Sequence, residues 1–299
     1  MEIGQIEAFL AVVREGSFTA AAACLNLTQP SLSARIQQLE HGLEAELFMR
    51  DKRPVQLTPV GRIFLDYAER GTNILAAGEE AVRSARLGEA GRVKVACPFS
   101  LGTYLLPQVV NRFGQAHPQA ELYIENGHSD FAISQLLDGL VNLALAAAFP
   151  RFLAQAQTLL RLHDEMAVAV AEEHELAGVT AVSIPQLWQY QPLIVHWGAA
   201  FDAYIASLRQ MSGARGPTVR VPLAAALPMA HQPNTVTFLP RRLATAVSGL
   251  TILNVPEFQF DWDAIVATRP GRSLTPLEQS FVDIISTVWH ANTPEEATE

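Results

Sequence analysis

Cysteine is nearly missing: Cys24 and Cys97 are the two in 299 residues, too few for a disulfide framework and without metal-ligand spacing. Long apolar runs are missing too. Stretches such as Leu143 to Phe149 fall far short of the roughly 20 residues that span a bilayer, and the start Met-Glu-Ile-Gly-Gln-Ile-Glu has neither the basic nor the apolar segment of a leader. The reading is therefore a cytoplasmic protein with no membrane partner. Positive charge is scarce, with 21 Lys and Arg against 30 Asp and Glu and a net charge of −9. Bulk electrostatics thus argue against nucleic-acid binding, which would have to come from local distribution. Catalytic signatures are also lacking: His128-Ser129-Asp130 and His163-Asp164-Glu165 show neither nucleophile-elbow nor metal spacing. An enzyme on an α/β scaffold is thereby disfavoured, and no cofactor or metal is expected. With 49% hydrophobic and 17% charged residues, the composition is globular, and the length allows a small domain plus one or two larger ones.

The richest stretch is Phe18 to Leu43, which reads as two short helices separated by a tight turn. Ser17 can cap a first helix to about Leu25. Asn26-Leu27 makes the turn, and Thr28 caps a second helix with Pro30 in its first turn, where a missing N–H costs nothing. In the second helix Leu32, Ile36, Leu39 and Leu43 share one face, which must be buried. The opposite face carries Pro30, Ala34, Gln37 and His41, flanked by Gln29 and Ser33 on one side and Ser31, Arg35 and Gln38 on the other. Hydroxyls, amides and one guanidinium can read base edges or hold phosphates. A solvated face on an ordinary helical hairpin would look similar, so the flanking residues decide.

From Ile3 to Arg62 the chain resembles the amino-terminal domain of the LysR-type transcriptional regulators. The correspondence runs through Phe9, Val12, Gly16-Ser17-Phe18, Ala21-Ala22, Leu25, Gln29-Pro30-Ser31-Leu32-Ser33, Ile36, Leu39-Glu40, Leu43, Leu47-Phe48, Arg50, Leu57-Thr58 and Gly61. The resemblance implies a winged helix-turn-helix over residues 1–58. DNA contacts would come from Ser17, Thr28, Gln29, Pro30, Ser31, Ser33, Ala34, Arg35 and Gln37, and from a wing carrying the one dense basic cluster, Arg50, Lys52 and Arg53. Two departures matter. Ala34 stands where the family often has arginine, so it can touch a thymine methyl but cannot grip guanine, and Arg35, about 100° round the helix, becomes the expected phosphate contact. Glu44 replaces the glycine that usually ends this helix, and Gly42 is expected to end it earlier.

Thr58-Pro59 begins a helix that meets no interruption before Gly88. Val60, Phe64, Tyr67, Gly71, Ile74, Gly78, Ala81 and Ala85 repeat at alternating four and three, the spacing of a helix that pairs lengthwise. Residues 59–88 are read as a linker and dimerisation helix, in agreement with the family. Gly88-Glu89-Ala90-Gly91 would be a hinge. Strand then alternates with helix: a strand from Val93 to Cys97, a helix from Leu101 to Gln115, strands at Glu121 to Glu125 and Val141 to Ala147, with a helix between. This is a βαβ order.

Residues 89–299 resemble the family's regulatory domain, which is periplasmic-binding-protein-like and built of two α/β subdomains. Subdomain I would take about 92–162 and 269–292, and subdomain II about 163–268, with the tail from Asn292 loose. Ligands of such folds lie beyond the carboxyl ends of the strands. A small-molecule effector, a carboxylate among the candidates, would there meet Ser100 with the amides of Gly102 and Thr103, then His128, Ser129, Phe149, His196 and Trp197. Asn142 replaces a common aspartate. Pro233 and Thr235 replace two glycines near the proline corresponding to Pro240, so Gln232 and Asn234 are read as part of an altered pocket wall. The resemblance implies a homotetrameric transcription regulator on inverted-repeat DNA half-sites, with RNA polymerase as a further candidate partner. A regulator that works without an effector is the alternative.

Overall fold

A computed structural model describes residues 1–49, 54–87, 91–213 and 218–291. They form two compact units, Met1–Val82 with Asp138–Leu140, and Arg83–Leu137 with Val141–Glu299.

In the first unit, α1 (Ile3–Glu15) ends at Gly16, whose φ of 63° suits a residue without a Cβ. Ser17 accepts a hydrogen bond from the Ala20 amide and starts α2 (Phe18–Cys24). Thr28 likewise accepts from Ser31 and starts α3 (Gln29–Leu43). Phe9, Val12, Ala21, Leu32, Ile36 and Leu39 close a common core beneath them. The expected early stop at Gly42 is corrected. Helix α3 continues to Leu43, and Glu44 itself takes the left-handed conformation (φ 53°), donating its N–H to the carbonyls of Glu40 and His41. A non-glycine there costs about 1 kcal/mol. The next residue offsets part of that cost, because the Ala45 N–H also reaches the Glu40 carbonyl.

The buried Glu40 carboxylate accepts from the amides of Leu47 (2.8 Å) and Phe48 (3.4 Å), drawing the chain into β1 (Phe48–Met49). This strand pairs antiparallel with β2 (Gln56–Leu57), Phe48 opposite Leu57. The pair is the base of the expected wing. Arg50, Lys52 and Arg53 lie outside the described residues. Thr58 then caps α4 (Pro59–Leu87), accepting from Gly61 and donating to the Glu46 carbonyl. One part of the pairing seam is corrected: Phe64 packs edge-on against Phe9 at 5.1 Å and belongs to the first unit's core.

The second unit starts with β3 (Arg92–Pro98), α5 (Phe99–Tyr104), α6 (Leu106–Ala116), β4 (Glu121–Gly127), α7 (Ser129–Leu137), β5 (Leu143–Ala147) and α8 (Pro150–Gln155). A 15-residue strand β6 (Gln157–Ala171) follows, then α9 (Ile184–Leu187), β7 (Gln191–Ile194), α10 (Ala199–Met211), β8 (Val219–Arg220) and α11 (Leu223–Met229). The chain closes through β9 (Thr235–Pro240), α12 (Arg241–Ala246), β10 (Leu250–Ile252), β11 (Asp261–Thr268) and α13 (Pro276–Ala291). The single helix expected over Leu101 to Gln115 is two. Pro107 has no N–H to continue the ladder and sits instead in the first turn of α6, where that loss is harmless.

Strands run in the order β4-β3-β5-β11-β6-β9-β7-β8, with β10 on β6. β3 is parallel to β4 and β5, and β7 is parallel to β8 and β9. Between these sets β6 changes partner: residues to Glu165 pair with β11, and those from Met166 pair with β9. The subdomain boundary read near residue 163 therefore falls inside one continuous strand. Asn142 braces the first subdomain, its carboxamide oxygen accepting from the Lys94 amide and its carbonyl accepting from the Thr268 hydroxyl.

Beside the partner change sits Asp164, buried, accepting from the amides of Glu165 (2.9 Å) and Arg242 (3.3 Å). Burial outweighs those bonds and the nearby arginines and pushes the carboxyl up to about 6. A carboxyl raised on folding binds its proton more tightly in the native state, so it opposes folding above that value and stops doing so as pH falls toward the unfolded one. Unfolding followed from pH 7 to pH 4.5 should show a stabilising contribution of roughly 2 kcal/mol that is absent in Asp164→Asn. His163, held up by its bond to Asp263, acts in the same direction, so only the difference between the two proteins isolates Asp164.

Candidate DNA-reading face and effector cleft

The first unit presents a concavity of about 670 Å³ whose lining includes Ser17, Gln29, Ser33 and Gln37 beside Met49 and Val55 of the wing base. Helical spacing puts Gln29, Ser33 and Gln37 in one row, four residues apart. Within the row, Gln29 Nε2 donates to Ser33 Oγ at 3.0 Å. Thr28 and Ser31 share a hydroxyl contact of 2.8 Å at the helix start. Pro30, Ala34 and Gln37 are exposed. Arg35 is turned toward α1, where one guanidinium N–H reaches the Gly4 carbonyl at 3.4 Å. Gln38 is also engaged with α1, accepting from Gln5.

In the second unit, the carboxyl ends of the strands bring some of the expected effector residues together. Phe149 follows β5, stacks on Phe152, and lies so close to Gly198 that a Cβ there would meet its ring at 2.6 Å. Gly198, with φ of 111°, follows His196-Trp197 beyond β7. The two subdomains thus touch at this point. His196 is exposed and its Nδ1 pairs with Asp202 at 2.9 Å, while Arg220 reaches the same carboxylate oxygen at 3.2 Å. Arg220 is not legible in the sequence as a neighbour of His196 and Asp202, because the parallel pairing of β7 with β8 is what brings it there. Trp197 is buried, with its indole N–H spent on the Phe238 carbonyl and its ring edge-on to Trp262.

Ser100 is buried at the second position of α5. The amides of Gly102 and Thr103 fall inside the ladder of a helix that starts at Phe99, which corrects their reading as free donors. Thr103 instead donates its hydroxyl to the Phe99 carbonyl. A Cβ on Gly102 would meet Asn126 Nδ2 at 2.8 Å. His128 stands exposed before α7, and the Ser129 hydroxyl accepts from the Ala147 amide at 3.0 Å, tying α7 to the end of β5. Gln232 and Asn234 are corrected outright. Thr235 pairs with Gln191, so both lie at the amino ends of β7 and β9, a strand's length from His196. The Thr235 hydroxyl closes that turn by donating to the carbonyls of Met229 and Gln232, which removes the reason to read the cleft as rebuilt there.

Among the described residues, His163, Glu165 and Asp261 could place three metal-ligand atoms within 4.8 Å of one another. All three are exposed, and Arg161 and Arg241 pair into the same patch. The arrangement is that of a surface ion-pair network. Antiparallel pairing of β6 with β11 creates it, which sequence spacing could not show.

Comparison with known proteins bears on both regions. The model of the bacterial regulatory helix-turn-helix protein, lysR family, matches residues 3–62, and that of the LysR substrate binding domain matches residues 86–289. The chain belongs to the LysR family. It is a DNA-binding transcriptional regulator with an effector-binding domain, and not an enzyme. A "Probable RuBisCO transcriptional regulator" of Phaeodactylum tricornutum is 33% identical over 209 residues, 68% of this chain and 67% of that protein. The regulator YusT of Bacillus subtilis is 31% identical over 198 residues, 66% and 63% of the two chains. In fold, this LysR-type regulator is similar to full-length CbnR complexed with its target DNA, at TM-score 0.65 and 21% identity, covering 96% of this chain and all 100% of that one. A full-length variant of OxyR from Pseudomonas aeruginosa gives TM-score 0.64 at 20% identity, covering 97% and 95%. No helix among the described residues is long and apolar enough to cross a membrane.

Proposed function

We propose that α3 enters the major groove and reads an operator half-site through Gln29, Ser33 and their neighbours, while α4 pairs with its copy so that two such helices meet inverted half-sites. The observation that carries this reading is the concavity joining Ser17, Gln29, Ser33 and Gln37 to the wing base. A row of short polar side chains with one hydrogen-bonded pair suits base edges better than a protein partner. A small molecule between the subdomains, near Ser100, Phe149 and His196, would alter subunit geometry and thereby DNA bending. The committed amides of Gly102 and Thr103 and the six-residue length of α5 do not favour a carboxylate at this point.

Replacing Gln29 and Ser33 by alanine tests the reading. Specific operator affinity should fall by about 1–3 kcal/mol per lost base contact, with the sedimentation coefficient unchanged. Undiminished specific binding would place the reading helix elsewhere.

A further inference from the structure

The reading helix combines three features: a row of amides, a committed guanidinium and an alanine where a long cation would reach the groove. We propose that this regulator reads its half-site by adenine and thymine contacts, with Gln37 as the specificity-determining residue for an adenine beyond the bases read by Gln29 and Ser33. The inference rests on the assignment of α3 to the major groove.

The argument is one of donors and acceptors. Guanine is read in the major groove by two donors, usually from arginine or lysine, and adenine by one donor and one acceptor, which a carboxamide supplies bidentately. The one lysine or arginine among residues 28–40 is Arg35. Arg35 is half-buried against α1 with an N–H on the Gly4 carbonyl. It is therefore not presented as a two-donor fork on the groove side. Gln29 has one Nε2 hydrogen on Ser33 Oγ, which ties its carboxamide to the helix and fixes its orientation. Gln38 is held by Gln5. Gln37 differs from all of these. It is exposed on the concavity's lining, and its carboxamide makes no hydrogen bond among the described residues, so both its donor and its acceptor are available to a base. Ala34, one turn before Gln38 and exposed, presents a methyl suited to the thymine C5 methyl.

Position follows from helical rise. Gln37 lies eight residues beyond Gln29 along α3, about 12 Å at 1.5 Å per residue. Base pairs are stacked at about 3.4 Å, so the adenine belongs roughly three to four base pairs from the position set by Gln29.

The test is binding-site selection from a randomised duplex library with the full chain, followed by titration of the selected site and its single-base variants. The wild type should enrich adenine, or thymine on the other strand, at the outlying position. Gln37→Ala should flatten that position alone, reducing discrimination there by about 5- to 150-fold. Gln37→Arg should convert it to guanine, and Gln37→Glu should move it toward cytosine, whose amino group a carboxylate accepts. If all Gln37 variants select the wild-type motif while Gln29→Ala and Ser33→Ala still lose theirs, α3 reads DNA but Gln37 does not, and the inference falls alone. If the wild type selects guanine at that position, it falls as well. A wild type that selects no motif, or one insensitive to Gln29 and Ser33, overturns the groove assignment and this inference with it.

Discussion

Gly61→Ala should cost the DNA-binding unit about 3 kcal/mol or more and abolish specific operator binding at ordinary temperature. A Cβ at this position would lie 2.2 Å from the Leu47 carbonyl oxygen, 3.0 Å from its carbon and 3.0 Å from a Leu57 methyl. The carbonyl cannot simply turn away, because it accepts the Thr58 N–H at 2.9 Å and so fixes the start of α4 against the entry to the wing. Overpacking against side chains commonly costs about 1–3 kcal/mol, and here the obstacle is backbone. Urea unfolding read by near-ultraviolet circular dichroism would show an early transition for the amino-terminal unit. Gly42→Ala is the control: a Cβ there meets nothing within 4 Å, so replacing this glycine inside α3 should stabilise the helix by up to about 1 kcal/mol. An unfolding curve for Gly61→Ala that overlays the wild type would show that the wing entry tolerates displacement.

The second large effect is expected on α4. Val60, Ile63, Tyr67, Ile74 and Val82 are 47%, 63%, 66%, 44% and 64% exposed. At about 100° per residue they lie within about 60° of one line along the helix. A stripe of this kind on a 29-residue helix is an unpaired seam. The double change Tyr67→Glu and Ile74→Glu should raise the dimer dissociation constant by more than about 100-fold, since two carboxylates would be buried without partners. Analytical ultracentrifugation over a dilution series reads this directly, and operator affinity should drop with it as the second half-site is lost. Glu69→Gln, on the opposite face, should leave association unchanged. A dimer that survives the double change would move the interface off this helix.

Much of this architecture is legible in the sequence because it depends on local rules. Caps at Ser17 and Thr28, proline at the start of α3 and α4, and period-3.6 faces fix helices within a residue or two. The polar face of α3 follows from the same pattern, whereas its expected role in reading DNA comes from the family resemblance and not from periodicity. Phe64 is harder, because its periodic position fits either the α4 seam or the Phe9 core, and only tertiary packing decides between them. The end of α3 escapes local rules for a related reason: Gly42 is the residue best suited to stop a helix, but bonds from Glu44 and Ala45 back to Glu40 set the stop two residues later. In the cleft, order along the chain says little about which end of a strand a residue occupies. Gln232 and Asn234 therefore read as neighbours of His196 until strand pairing puts them at the other end. The cluster of His196, Asp202 and Arg220 joins two strands and a helix and has no linear signature.

Strand β6 carries one further consequence. Because its 15 residues run unbroken from the β11 ladder into the β9 ladder, and the returning chain bonds along it through Leu253 N–H to the Val168 carbonyl and Met166 N–H to the Phe260 carbonyl, the two halves of the regulatory domain are joined by a hydrogen-bonded ribbon rather than by slack connections. Sliding one half past the other would shear several backbone hydrogen bonds at once, whereas twisting the ribbon bends each of them slightly. Such a junction should yield to rotation before translation, so a molecule seated between Phe149 and His196 would act on the two halves as a torque.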